Sequence, residues 1–218
     1  MPRKKLNQPP EEIERIRNAI RTGLNELDDY GRRIGSYKWG VYAFFDYDGE
    51  PIYVGQTYEK ISGRIGRHLT NQRTDAVAMN VLDPFEVYEI EVWPLAELGE
   101  AVSTKRSKKI LDFLEYAIFQ TLVTRSKFKA VLNEKTPIPV KLKYKLPKSF
   151  RFQIVPDDIY QRRKHKDVRI ARRAQTISGL AKVISERQVD VGLRRTLLTQ
   201  AKRLANLAEE RASETNNG

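Results

Sequence analysis

The chain has 218 residues, of which 40% are hydrophobic and 31% are charged, and its formal net charge is +12. This composition excludes a disordered chain and predicts a globular protein with one large domain, or with one domain and an appendage. No apolar run approaches the roughly 18 residues of a membrane span, and the absence of cysteine excludes disulfides and thiolate metal sites.

The positive charge is concentrated towards the end of the chain. Residues 38–136 have 13 basic and 14 acidic side chains, whereas residues 137–156 have five basic side chains and none that is acidic. A surplus of this size favours a polyanionic partner, usually nucleic acid. We therefore expect the catalytic residues in the middle of the chain and the residues that bind nucleic acid downstream of them. The lack of cysteine and of a secretory signal predicts a cytoplasmic protein.

An amphipathic helix is predicted after a basic, proline-containing tail. Glu11 is its expected start, because acidic residues suit the positive end of a helix dipole, and Gly31 is its expected stop. Its apolar stripe consists of Ile13, Ile16, Ile20, Leu24 and Leu27.

Two apolar runs then predict a β-hairpin. Val41–Phe45 and Ile52–Val54 flank a turn that contains Asp48-Gly49, and Asp-Gly between strand-like runs is a strong hairpin signal. The hairpin would bring Tyr42 and Tyr53 close together.

A short helix is predicted over residues 62–69, where the apolar spacing becomes helical. Arg64 and His68 lie one turn apart on one face of it. A guanidinium, an imidazole and two phenols next to a short sheet suit a phosphate better than a core.

A third strand is predicted at Phe85–Trp93, where apolar residues alternate with a period of two. A long helix follows over Lys105–Thr124, and Glu115 interrupts its apolar face. We therefore expect an α+β unit over residues 38–136, in which three strands form an antiparallel or mixed sheet flanked by helices. An N-terminal segment, residues 1–37, and a basic, mainly helical extension, residues 137–218, complete the expected organisation.

The order of these residues carries a family resemblance. Gly40-Val41-Tyr42 and Tyr53-Val54-Gly55 resemble the two halves of the GIY-YIG nuclease motif. Arg64-x-x-x-His68 resembles the arginine and the histidine or tyrosine on the first helix of that family. Glu115 resembles its metal-binding glutamate, and Asn133 resembles the asparagine that follows. The resemblance covers about 95 residues, and the five elements occur in the family's order.

The resemblance implies a metal-dependent DNA endonuclease that hydrolyses phosphodiester bonds, with one Mg²⁺ or Mn²⁺ ion per active site held by Glu115. It also implies that Tyr42 takes the proton from water and that Tyr53 helps. His68 remains a rival base, because a phenol with a reference pKa of about 10 is a poor base at neutral pH. Arg64 offers a planar fork that suits a phosphate. Asn133 is expected to support the shape of the site.

Among GIY-YIG enzymes, the sequence is most similar to type II restriction endonucleases, which implies a double-stranded DNA substrate and no small-molecule substrate. Homing and repair nucleases are the alternatives within the family, and a DNA-binding protein without catalysis is the alternative outside it. One active site cuts one strand, so cleavage of both strands requires a homodimer or two successive nicks.

Beyond residue 136 the family pattern gives no guidance. Residues 137–147 predict a strand that projects three lysines, either as a DNA-binding ribbon or as a protected sheet edge. Residues 161–173 contain seven basic side chains and one acid, and such a run can release counterions from DNA. Two helices are predicted after Thr176, as a helix-turn-helix reader, a dimer surface or packing for the core. The predicted DNA contacts are Arg67, Lys141, Lys143, Lys145, Arg162, Arg163, Lys164, Lys166, Arg169, Arg172 and Arg173.

Overall fold

The computed structural model describes residues 10–69, 83–98 and 104–215. In this part of the chain there are six α-helices and four β-strands. The helices are α1 (Glu11–Asn25), α2 (Ile61–Leu69), α3 (Thr104–Arg125), α4 (Asp157–Arg163), α5 (Lys166–Glu186) and α6 (Val191–Thr215). The strands are β1 (Gly40–Phe45), β2 (Pro51–Thr57), β3 (Glu89–Pro94) and β4 (Phe150–Gln153).

The sheet has four strands in the order β2-β1-β3-β4, and each neighbouring pair is antiparallel. The prediction of an α+β fold is confirmed, but the prediction of three strands is wrong. The fourth strand comes from the segment assigned to the C-terminal extension, and it pairs Phe152 with Ile90 of β3. The alternation of Phe150, Phe152 and Ile154 with polar residues is the sequence signal for this strand.

The predicted hairpin is formed by β1 and β2, and Asp46 organises its turn. The Asp46 Oδ1 atom accepts hydrogen bonds from the backbone N–H groups of Asp48, at 2.9 Å, and Glu50, at 3.0 Å. Gly49 has φ +73°, a left-handed conformation that glycine adopts without steric cost. The Asp-Gly signal was therefore a sound guide to the turn.

The two faces of the sheet pack against different helices, which explains why all six residues of β1 are buried. Tyr42 and Phe44 point into a core shared with α1 and α2. Val41, Ala43 and Phe45 point into a second core formed mainly with α3. This alternation is the period of two that a strand requires.

Two predicted boundaries differ from the structure. Helix α1 ends at Asn25, so Leu27 is not part of its buried stripe and is 60% exposed. Gly31 instead lies in the following turn, where its N–H donates to the Asp28 carbonyl. The third strand begins only at Glu89, because Pro84–Glu86 form a short 3-10 helix capped by the Asp83 carboxylate.

Residues 137–147 do not form the predicted strand. The segment nevertheless has the predicted buried side and exposed side. Leu142 and Tyr144 pack against the α3 core, while the lysines at 141, 143 and 145 are exposed. No helix in the described ranges is long and apolar enough to cross a membrane.

The two predicted C-terminal helices are present as α5 and α6, and the chain breaks between them just before Val191. They pack against each other through Leu180 and Leu193. Helix α6 also reaches the hairpin, where the Arg203 Nη2 atom donates to the Pro51 carbonyl at 3.0 Å. The helical pair is therefore packed onto the hairpin.

Candidate active site

Strand β2 lies at the edge of the sheet, and two predicted site residues satisfy its outward backbone groups. The Asn133 side chain accepts from the Val54 N–H at 2.9 Å and donates to the Val54 carbonyl at 2.7 Å. The Gln56 N–H donates to the Glu115 carboxylate. Unpaired groups at a sheet edge are a liability, and here they are paired by side chains of the site. Glu115 and Asn133 are thus held at the same edge.

The two tyrosines lie together beside this edge. The Tyr42 and Tyr53 rings are 6.1 Å apart between centroids, and Gly55 lies next to both. A Cβ atom at position 55 would come within 2.7 Å of the Tyr42 hydroxyl oxygen and of the Tyr53 Cε1 atom. A glycine is therefore required where the second half of the motif has one.

Tyr42 is hydrogen-bonded to His68 of α2. The Tyr42 hydroxyl oxygen and the His68 Nε2 atom are 3.0 Å apart, and which group donates depends on the histidine tautomer. Both side chains are buried, with exposed fractions of 0% and 4%. The His68 ring also lies 5.1 Å from the Tyr53 ring. Helix α2 therefore places the His68 imidazole within hydrogen-bond distance of Tyr42, the residue that the resemblance identifies as the base.

Arg64 is half-buried one turn before His68, on the same side of α2. Burial acts to lower the pKa of its guanidinium, but Tyr42, Tyr53 and Glu59 act against it and raise the pKa above its ordinary value. The Arg64 Nε atom is buried and has no hydrogen-bond partner in the described part of the chain. This cation is therefore fully charged and retains an unused donor for an anion.

Glu115 on α3 completes the group. Burial and the neighbouring Asp112 raise the pKa of Glu115 to about 7, against the opposing effects of Arg64 and of the Gln56 N–H. A carboxylate held in this way gains from a nearby positive charge, because burial penalises its charged form.

Sequence reasoning missed two residues here. The Gln56 side chain donates from Nε2 to Asp112 Oδ1 at 2.8 Å, while its Oε1 atom is buried without a partner in the described ranges. Asp112 precedes Glu115 by three residues, a spacing that puts both carboxylates on one helix face. That spacing, and the position of Gln56 directly after the Tyr53-Val54-Gly55 motif, were the available signals.

The structure thus brings Tyr42, Tyr53, Arg64, His68 and Glu115 to one place, with Asn133 supporting β2. The group joins a buried phenol-imidazole pair, a cation and a carboxylate within one sheet edge and two helices. Such a combination can bind a phosphate, remove a proton and hold a hard cation.

The structure places several of the predicted DNA contacts elsewhere. Arg169 and Arg173 of α5 are only 3% and 4% exposed. Arg169 pairs with Asp48 through bonds of 2.8 and 2.5 Å, and Arg173 bonds to Asp46 at 2.7 Å. Their expected role as DNA contacts is therefore replaced by a structural one, because both guanidinium groups are buried against the hairpin turn.

Four of the other five basic residues of the run also have acidic neighbours within the described ranges. Arg172 bonds to Asp83 at 3.0 Å, Arg163 bonds to Glu12 at 2.7 Å, and Lys166 bonds to Glu214 at 2.6 Å. Two exposed arginines also have an acidic neighbour: Arg162 lies 3.8 Å from Glu12, and Arg67 pairs with Glu59. Among the predicted contacts, those that are exposed and have no ion pair in the described ranges are Lys141, Lys143, Lys145 and Lys164.

Comparison with known proteins gives one family. No curated protein and no solved structure matches the chain significantly. Residues 38–122 match the family model of the GIY-YIG catalytic domain, a range that includes Tyr42, Tyr53, Arg64, His68 and Glu115. Asn133 and strand β4 lie outside the matched range. The match supports the GIY-YIG superfamily for this segment and indicates a nuclease, that is, a phosphodiester hydrolase.

Proposed function

We propose that this protein is a metal-dependent DNA endonuclease, and more narrowly a type II restriction endonuclease that cuts double-stranded DNA at a specific sequence. The observation that supports this most strongly is the meeting of the Tyr42–His68 pair, Arg64 and Glu115 at the edge of β2. A structural role alone does not require a buried phenol, a buried imidazole and an arginine with a spare donor to share one place.

The residues around Glu115 fit a hard divalent cation. Glu115, Asp112 and the partnerless Gln56 Oε1 atom are all oxygen donors, which Mg²⁺ and Mn²⁺ prefer. The described residues contain no cluster of three or more acidic or histidine side chains placed for a metal, so one ion with several waters suits the site better than a closed cage. Glu115 would hold this ion, which supplies charge stabilisation at the scissile phosphate when bound.

The roles of the remaining side chains follow from their contacts. Tyr42 accepts the proton of the attacking water while its own hydroxyl proton passes to the His68 Nε2 atom along the 3.0 Å hydrogen bond between them. His68 remains the rival base for the same water. Arg64 donates to the phosphate and offsets the negative charge that gathers there. Tyr53, whose ring centroid lies 6.1 Å from that of Tyr42, positions water or phosphate.

The restriction class is favoured over the other nucleases by two features. Position 68 is a histidine in the Arg64-Ile65-x-x-His68 pattern typical of the restriction enzymes, whereas excision-repair nucleases tend to have a tyrosine there. A homing enzyme usually has a long linker and a separate DNA-recognition domain. Here α5 and α6 instead pack directly on the hairpin. We place its action on DNA in the cytoplasm of a prokaryote, as a homodimer or by successive nicks.

The test is cleavage of plasmid and phage DNA by the purified protein in Mg²⁺, with Glu115→Ala as the control variant. Discrete fragments that the substitution abolishes support a restriction enzyme. Random nicking or a preference for branched DNA favours a repair nuclease instead. Tight DNA binding without any cleavage would refute the proposed enzymatic function and would favour the alternative, a DNA-binding protein without catalysis.

A further inference from the structure

A basic groove lies between α1, the 3-10 helix at Ile34–Ser36 and α2. Its volume is about 400 Å³. Four cationic side chains line it, and none of the lining residues is acidic. The cations are Arg17, Arg21, Arg33 and Lys60. Three of the four come from before residue 38, outside the segment that matches the catalytic family.

These four cations differ from the basic run at residues 161–173 in their ion pairing within the described part of the chain. None of them forms an ion pair within the described ranges, whereas Arg163, Lys166, Arg169, Arg172 and Arg173 all do. An ion pair within the chain cancels the charge that an external polyanion would feel. The groove therefore keeps the positive potential that the downstream run loses on folding.

The groove also has the donors that an anion requires. The Arg17 Nε atom is buried and has no hydrogen-bond partner in the described part of the chain. The hydroxyl of Ser62 lies near the amino-terminal end of α2, where the helix dipole is positive. Gly35 and Gly66 have no side chains to obstruct the groove. A buried donor without a partner costs free energy unless a ligand satisfies it.

Helix α2 connects this groove to the candidate active site. Ser62 and Gly66, which line the groove, are each two residues from Arg64, or about 200° around a helix of 3.6 residues per turn. The groove and the catalytic arginine therefore lie on opposite flanks of one helix. A helix is about 10 Å wide, which is about three base-pair steps along the axis of a DNA duplex at ~3.4 Å each. Between the flanks, Gly63 is exposed and has no side chain, so a strand can cross there.

We infer that this groove binds the phosphate backbone of the DNA substrate, a few nucleotides from the phosphate that Arg64 contacts. The inference rests on the proposed nuclease function, because it takes DNA as the ligand. It assigns the N-terminal segment, and not the basic run of α4 and α5, as the principal grip on the backbone next to the site.

The test compares two charge-neutralised variants. The groove variant combines Arg21→Gln, Arg33→Gln and Lys60→Gln. The control variant combines Arg187→Gln, directly after α5, with Arg195→Gln and Lys202→Gln on α6. All three side chains are exposed and have no ion pair in the described ranges. Each variant lowers the net charge from +12 to +9. All six side chains are exposed, and thermal melting checks that both variants remain folded.

The measurement is the Kd for a short fluorescent duplex in EDTA, by anisotropy, over a series of salt concentrations. We expect the groove variant to bind about tenfold or more weakly and to lose about 2 to 3 from the slope of log K against log salt, because each phosphate contact contributes ~0.9. The control variant should keep the slope and the affinity of the parent. Equal losses in the two variants, or no loss in the groove variant, would overturn the inference.

A second measurement uses the absence of cysteine from the chain. Ser62→Cys introduces a single thiol into the groove. Ser178→Cys is the control, because it introduces a thiol at an exposed position of α5. DNA with a thiol tethered to a backbone phosphate should form a disulfide with the first variant and not with the second. Crosslinking at both positions or only at position 178 would contradict the inference.

These outcomes are separable from those of the proposed function. Binding in EDTA does not depend on catalysis, so the groove inference survives if the parent binds DNA through the groove but never cuts it. If the parent cuts DNA and the groove variant binds normally, only the groove inference fails. Competition by inorganic phosphate at low concentration, without DNA crosslinking at position 62, would assign the groove to free phosphate and overturn it.

Discussion

Arg173 on α5 and Asp46 at the end of β1 are joined by a buried hydrogen bond of 2.7 Å, although 127 residues separate them in the sequence. Arg173 also bonds to Glu86 at 3.1 Å, and Arg203 of α6 lies 3.8 Å from the same Asp46. Asp46 in turn holds the hairpin turn that precedes β2. The C-terminal helices are therefore connected through one carboxylate to the strand that carries Tyr53 and Gly55.

Replacing Arg173 by methionine should lower the free energy of unfolding by about 3–5 kcal/mol, because Asp46 and Glu86 would remain buried without this partner. Denaturant unfolding measures the change. The matched control is Arg15→Met, which breaks the exposed pair with Asp158 and should cost far less, because water screens exposed ion pairs. Similar values for the two variants would show that the buried cluster does not stabilise the fold.

Replacing Glu115 by glutamine should abolish cleavage and at the same time stabilise the fold above pH 7. The pKa of Glu115 is raised to about 7, so the folded chain binds the proton more tightly than the unfolded chain does. Stability is therefore lost as the pH rises through the window from about 4.5 to 7, and the glutamine removes a penalty of about 3 kcal/mol.

Thermal melting in EDTA at pH 5 and pH 8 measures the effect of Glu115→Gln. The melting temperature should rise relative to the parent at pH 8 and stay close to it at pH 5. Asp112→Asn serves for comparison, because it removes the neighbouring charge and should also favour the ionised Glu115. A glutamine variant that is less stable at both pH values would contradict the raised pKa.

Tyr42→Phe tests which group takes the proton. If Tyr42 is the base, single-turnover cleavage should fall by about 10²–10⁴-fold, while His68→Asn should reduce it less and Tyr53→Phe least. The phenylalanine keeps the buried ring and removes only the hydroxyl that meets His68. A small loss for Tyr42→Phe together with a large loss for His68→Asn would identify the histidine as the base.

Asn133→Asp tests the support of the edge strand. The carboxylate can still accept from the Val54 N–H, but it cannot donate to the Val54 carbonyl. We expect a loss of about 1–3 kcal/mol in the free energy of unfolding and weaker cleavage with an unchanged pH profile. A changed pH profile would mean that Asn133 takes part in the chemistry. Asn206→Asp is the control for stability, because the Asn206 side chain on α6 accepts from Lys127 and donates to Glu210.

The sequence predicted the site better than its surroundings, for a physical reason. Tyr42 and Tyr53 are brought together by a hairpin, and Arg64 and His68 by one helical turn, so short-range geometry is sufficient for both pairs. The contact of Glu115 with the Gln56 N–H spans the edge of the sheet, and only the family resemblance made it predictable. Asp112 and Gln56 have no motif of their own, so their contribution became visible only in the folded chain.

The basic run at residues 161–173 shows what sequence composition alone fails to predict. Composition reveals that lysine and arginine are present, but it cannot reveal an acidic partner more than eighty residues away. Asp46, Asp48, Asp83 and Glu86 are those partners, and they are also the reason why residues 38–136 have almost no net charge. The near-neutral net charge of residues 38–136 therefore does not describe the charge of the surface around the candidate active site.

Strand β4 determines how this protein can be divided. It belongs to the same sheet as β1 to β3, but it lies after residue 149, beyond the family match. Cutting the chain at residue 136 would expose the whole hydrogen-bonding edge of β3 and leave Asp46 and Glu86 without their arginines. An isolated catalytic fragment should therefore aggregate, and a chimaera that exchanges only residues 38–122 should fail to fold. The nuclease segment and its extension have to be inherited, transplanted and engineered as one unit.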